Sequence, residues 1–141
     1  MVARVAIGFV AAALAVLIFH QGMWALLHVL AIKGMTMPPP FPMDGIPPLG
    51  VPRILNLCFW GGLYGAAFGA VVKEPSGKTW LCGLLTGLIA AFVGLFIVAA
   101  IKGLPIAGGW NPLAILRSIL INGFWGIGLG LIYPQLLKLT R

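Results

Sequence analysis

The sequence predicts an all-α membrane protein: four transmembrane helices, built as two tandem helix hairpins related by a parallel repeat. Three observations carry this. The 141 residues are 61% hydrophobic and 8% charged, with a mean hydropathy of +1.10. That is too little charge to cover a soluble domain. The charges also bracket four windows, of 28 residues between Arg4 and Lys33, 19 between Arg53 and Lys73, 23 between Lys78 and Lys102, and 20 between Arg117 and Lys138. Each is close to the roughly 20 residues that carry a helix across a bilayer core. Finally, the chain says one thing twice. Ala31-Ile32-Lys33-Gly34 recurs as Ala100-Ile101-Lys102-Gly103, and Pro48-Leu49, Arg53 and Phe59-Trp60-Gly61 recur as Pro112-Leu113, Arg117 and Phe124-Trp125-Gly126.

The windows place helices near 5–32, 54–72, 79–101 and 118–137, with repeat one at 1–73 and repeat two at 78–141 of a single membrane domain. Helix is required because lipid offers no partner for a free backbone group. The first window follows Met-Val-Ala-Arg in the manner of a signal peptide. Its apolar run is too long for one and includes His20-Gln21, so a retained helix is expected. The next segment, Gly34 to Pro52, holds seven of the eleven prolines. Pro38-Pro39-Pro40-Phe41-Pro42 favours polyproline geometry. Met35, Met37, Phe41, Met43 and Ile46 make it too apolar for a free linker, so it is expected to pack on the membrane surface or a neighbour. Glu74-Pro75-Ser76-Gly77 is a tight turn between the hairpins. Gly103 to Leu116 forms a second long loop, with Trp110 suited to the interface.

Small residues four apart let helices approach closely. Gly61, Gly65 and Gly69 form such a ladder in the second helix. Gly83 and Gly87 do so in the third, Gly126 and Gly130 in the fourth, and Gly8 with Ala12 in the first. The second and fourth helices, as repeat partners, are expected to pack on each other near a pseudo-twofold axis.

The net charge of +7 is spread over the window ends, where basic side chains reach lipid phosphates. No basic cluster tracks a nucleic-acid backbone. Arg4, Lys73, Lys78, Lys138 and Arg141 fall on one side, and Lys33, Arg53, Lys102 and Arg117 on the other. The positive-inside rule puts both termini in the cytoplasm. The second set of four cations marks a possible anion or lipid-headgroup site.

Polar residues within the spans are His20, Gln21, Asn56 and Asn122. A span starting near Val5 puts His20 about two-thirds of the way across. There it is expected to bond a backbone carbonyl or a polar group of another helix, Asn56, Asn122 or Thr86, with Gln21 turned about 100° away. The alternative is a ligand for haem or a chlorophyll-type pigment. His20 and His28 are about 12 Å apart along the helix and share no metal ion. No metal motif, catalytic residue set or nucleophile–base pair is present, and neither acid, Asp44 or Glu74, lies within a span. An enzyme is therefore not expected.

The runs Phe19-His20-Gln21-Gly22, Pro47-Pro48-Leu49-Gly50-Val51-Pro52, Phe59-Trp60-Gly61-Gly62-Leu63-Tyr64-Gly65, Lys102-Gly103-Leu104-Pro105 with Gly108-Gly109-Trp110, and Asn122-Gly123-Phe124-Trp125-Gly126 span nearly the whole chain. In these it resembles a group of small bacterial inner-membrane proteins with no assigned activity. The resemblance implies four helices in a bacterial inner membrane and carries no catalytic residue. The expected role is a non-enzymatic accessory or scaffolding subunit, in contact with lipid and other membrane-protein subunits. The alternatives are a small homo-oligomeric channel or carrier, and a pigment-binding subunit acting through His20.

Overall fold

The computed structural model describes residues 1–140. It is all-α apart from one two-stranded ribbon, and four helices are long and apolar enough to cross a membrane: α1 Val2–Leu30, α2 Arg53–Val71, α3 Thr79–Ile101 and α4 Pro112–Leu139. The chain is an integral, multi-pass membrane protein. α1 packs on α2, α3 packs on α4, and α1 also packs on α4. α2 and α3 hardly meet. The helices thus run α2–α1–α4–α3 as an open arc, with a seam between its two ends.

The glycines join helices within each hairpin, not α2 to α4 as expected from the ladders. A Cβ on Gly65 would strike the Gly8 carbonyl and the Ala12 methyl, and one on Gly69 would strike the Arg4 carbonyl. On the other hairpin, Gly83 and Gly126 face each other's carbonyls, Gly87 meets Asn122 and Gly123, and Gly130 meets Thr79 and Trp80. Gly61 instead receives the Val16 side chain and the Trp125 ring. Lipid tails are as apolar as side chains, so close backbone contact supplies much of the attraction between such helices. α2 and α4 touch through large rings. Tyr64 meets Trp125 edge-on at 6.2 Å and Phe68 meets Tyr133 at 5.3 Å. Two rings of the core reach across to backbone carbonyls: Trp125 Nε1 donates to Ala12 at 3.1 Å, and the Tyr133 hydroxyl donates to Val72 at 3.0 Å.

Two helices differ from expectation at their ends. α4 starts at Pro112, not near 118, because Asn111 Oδ1 accepts the Leu113 N–H at 3.0 Å and proline takes the first helical position. That pair is a standard helix start. α1 starts at Val2 and stops at Leu30, where Ala31 turns left-handed at φ 46°. The matching alanine, Ala100, stays helical, and its helix closes at Gly103 with φ +65°. The tetrapeptide Ala-Ile-Lys-Gly therefore takes two conformations in one chain. α1 and α3 share another feature. Each widens into a π-helical turn, at Val16–His20 and Val93–Val98.

α1 has 29 residues and α2 has 19, about 43 and 28 Å of helix. Gly61 lies on Val16, so in antiparallel register Arg53 comes level with residues near 24 of α1. The last turns of α1 outrun α2, and the proline-rich segment folds back into the space above α2.

Candidate functional site

That segment is clamped by one stripe of α1. Gln21, Trp24 and His28 are spaced by three and four residues, so they share a face. Gln21 Oε1 accepts the Phe41 N–H at 2.6 Å, Trp24 Nε1 donates to the Pro38 carbonyl at 2.8 Å, and His28 Nδ1 bonds the Met37 carbonyl at 2.7 Å. Non-helical backbone beside lipid persists only when its polar groups are met by protein. Phe41 sits at φ 56°, a strained conformation for a bulky residue, and it breaks the polyproline run expected there. A short ribbon follows, β1 Gly45–Ile46 against β2 Val51–Pro52. The Pro42 and Asp44 carbonyls then accept the Ile54 and Arg53 N–H groups at 3.0 and 2.9 Å. They take donors that a helix start leaves open.

Gln21 also decides the state of His20. The Phe41 N–H can only donate, so the Gln21 oxygen faces it and the Gln21 amide nitrogen faces His20 Nδ1, 3.2 Å away. The amide N–H donates, so Nδ1 accepts and the ring proton is on Nε2. Two expectations change here. Gln21 is the partner of His20, not a bystander, since the side chain folds back along the helix. Asn122 and Thr86 bond their own helix instead, at Ser118 and Cys82 carbonyls 2.9 Å away. His20 also lies at the level of Leu57, one turn inside the start of α2, because α1 overshoots its partner.

His20 lines a cavity of about 320 Å³ with Trp60, Tyr64, Asn122 and Trp125, near the lower end of ligand-pocket size. Both π-helical turns reach it, through Val16 and His20 of α1 and Val93, Gly94 and Val98 of α3. Such turns recur at functional sites. Both repeated tryptophans are present in unequal roles. Trp125 is buried and tied to Ala12, while Trp60 is 55% exposed. Below Tyr64 the space continues as a second apolar cavity of about 370 Å³, between Phe68 and Val71 of α2 and Cys82, Leu85 and Ile89 of α3. Together they form the seam. Its walls are legible as stripes: Leu57, Trp60, Gly61, Tyr64, Ala67, Phe68 and Val71 on one helix, with Cys82, Leu85, Thr86, Ile89, Ala90, Val93 and Gly94 on the other. Sequence reasoning missed them because two apolar stripes at helical spacing predict contact, and these helices part. Asn56 does not line the cavity.

The four cations divide. Arg53 and Arg117 line one groove of about 700 Å³ with Trp24 and the 36–44 segment. Lys33 and Lys102 are exposed and outside it. Arg53 is paired with Asp44, through Nη2 at 2.5 Å and Nε at 2.9 Å. The hydrogen bond and charge of Arg53 hold the Asp44 carboxyl below its ordinary range. Among the described residues no carboxylate pairs with Arg117. Arg53 is one turn above Leu57, and Arg117 little more than a turn above Asn122, so the groove sits directly over the cavity.

The chain is similar to a membrane translocator. It is 29% identical over 93 residues to the UDP-galactose translocator of Mus musculus, a match covering 62% of this chain and 24% of that protein. The chain thus spans about a quarter of the length of the relative it matches. No protein-family model matches it, and no solved structure does.

Proposed function

We propose that this chain is a transport module, a non-enzymatic four-helix unit that completes its path with a second copy. The observation that carries this is the seam. Two helices present matched apolar faces, joined to a cavity with His20, Tyr64, Asn122 and Trp60, yet no fifth element closes them. Only 17% of the most apolar stretch of α3 is buried, against 39% for α4, which leaves α3 free to meet another copy. The similarity to a translocator supports a transport role over the accessory or scaffolding one. We read the chain as a bacterial inner-membrane protein with both termini cytoplasmic, a reading supported by the resemblance and by the distribution of its basic residues. The two halves, 1–73 and 78–141, are read as a duplicated hairpin.

Purified chain in proteoliposomes tests this. Native mass measurement should give a homodimer, and vesicles loaded with UDP-galactose should exchange the labelled compound or a related phosphate-bearing solute faster than protein-free vesicles. A monomer without flux, or a fixed-ratio complex with a larger partner, overturns it in favour of an accessory role. Single cysteines at positions 44 and 76, in a chain lacking Cys58 and Cys82, fix the orientation. An impermeant reagent on intact cells should reach only position 44.

A further inference from the structure

We infer that the seam between α2 and α3 is a lateral site for a phosphate-headed membrane lipid, with the headgroup at Arg117 and Arg53 and a hydrocarbon chain along the two cavities. The inference rests on the transport reading and names its substrate class. Three features select this occupant. First, charge is confined to one end. The two arginines lie a turn above the cavity, only one of them pairs with a carboxylate among the described residues, and no Asp, Glu, Lys or Arg lines the space below, whose polar members are His20, Tyr64, Asn122, Cys82 and Thr86. An anionic head on an apolar tail matches that division, whereas a fully water-soluble anion would leave the lower seam unused. Second, the polar atoms just under the arginines are neutral. His20 keeps its proton on Nε2, and its hydrogen bond to Gln21 among the described residues is made through Nδ1. Asn122 spends its amide N–H on Ser118 and keeps its oxygen. Such a layer suits the ester or hydroxyl oxygens that join a headgroup to its chain. Third, length fits. From Leu57 to Val71 the seam follows about 21 Å of helix, against roughly 30 Å for a hydrocarbon core. A lipid chain would pass the bilayer midplane, which a surface-bound annular lipid does not do. Open access between α2 and α3 lets it enter sideways.

Gly94 supplies the test. It lines the cavity, and a Cβ placed there meets nothing within 4 Å, so Gly94→Leu fills the seam without striking the backbone. Gly22 also has open space around it and lies outside the cavity, so Gly22→Leu controls for the added side chain. The intact chain is purified with dioleoyl phosphatidylglycerol or with dioleoylglycerol, which has the same chains and no phosphate, and retained lipid is counted by native mass spectrometry. The phospholipid should be retained at least about tenfold over the diacylglycerol, and Arg117→Gln should remove about that factor. Gly94→Leu should abolish retention while Gly22→Leu keeps it, with helicity by circular dichroism unchanged in both. Inorganic phosphate at millimolar concentration should not displace the lipid. Equal retention of the two lipids, or retention untouched by both Arg117→Gln and Gly94→Leu, overturns the inference. Displacement by phosphate alone reduces the site to one for a small anion and overturns it too. Retention without flux keeps the site and removes the transport reading, and flux of a soluble solute without retention does the reverse.

Discussion

The two hairpins cross in the same way and end in different ways. In both, glycine on one helix meets backbone on the other: Gly8 against Gly65 and Gly69, Gly83 against Gly126 and Gly130. In both, the first helix carries a π-helical turn beyond that crossing. The far ends diverge. The first hairpin closes through a long proline-rich segment held by Gln21, Trp24 and His28. The second closes through a short stretch with left-handed Gly103, Gly108 and Gly109, and a proline starts its return helix. A small-residue contact depends on local sequence and forms here under two different loops. The stretch from Met37 to Phe41 instead depends on what the neighbouring helix offers, and α1 offers it three polar side chains on one face.

The strongest test of the shared part is to crowd each crossing. Gly65→Leu and Gly126→Leu force a side chain into backbone and should each cost about 1–3 kcal/mol or more, read as a fall in thermal midpoint in detergent. If one is silent, that hairpin is held by its side chains and the likeness between the two is superficial. Gly77→Ala, in open space, should be neutral.

The divergent part is tested at Gln21. It is fully buried, and Gln21→Leu strands the Phe41 N–H. The expected loss is about 1–3 kcal/mol, local to the first hairpin. Hydrogen exchange should rise over residues 37–46 and stay unchanged over 103–111. Faster exchange in both loops would show that the two ends are coupled, and the contrast drawn above would fail.

Much of this frame is readable without a structure. Charge-free windows mark the four spans, and four-residue glycine spacing marks the faces that meet. What the pattern omits is which faces meet. Gly61, Gly65 and Gly69 look like a ladder for the repeat partner α4, yet all three face α1, and only Gly61 also meets α4, through the Trp125 ring. The site was less legible. His20 and Asn122 stand out as polar residues in apolar runs, and Arg53 and Arg117 stand out by repetition. Their grouping depends on the register at which α1 overshoots α2, which the window lengths of 28 and 19 residues do not report. The stripe Gln21, Trp24, His28 was visible at helical spacing. Its meaning was not, since its partners are backbone groups of a segment with no periodicity.

A smaller effect sharpens the comparison at the start of the return helices. α4 begins on Asn111, whose side chain caps Leu113, while α2 begins on carbonyls of the folded-back segment. Asn111→Ala should cost about 1 kcal/mol and show as faster exchange at the Leu113 amide, with α2 unaffected. The reciprocal loss, slower or unchanged exchange at Leu113 with disturbance of α2, would mean that the two starts are not independent.

The smallest effect is the Asp44–Arg53 pair, which the second hairpin lacks: Arg117 occupies the repeated position with no carboxylate opposite it among the described residues. Both partners are about half exposed, so water and salt screen the pair and it contributes little to stability. Its pH dependence still has a definite sign. The Asp44 carboxyl is held below its ordinary range by the hydrogen bond from Arg53. A group whose pKa is depressed by folding stabilises the fold above its unfolded value and loses that contribution as pH falls through its folded one. The ribbon and the first turn of α2 should therefore keep their order down through the usual carboxylate range and loosen only below it. Hydrogen exchange at the Arg53 amide, corrected for the intrinsic rate at each pH, reads this directly. Asp44→Asn should abolish the dependence, and raising ionic strength should shrink it, since both side chains are about half exposed and salt screens the attraction between exposed charges. A dependence that survives Asp44→Asn would assign the titration to another group and leave the pair without a role at the mouth of the first hairpin.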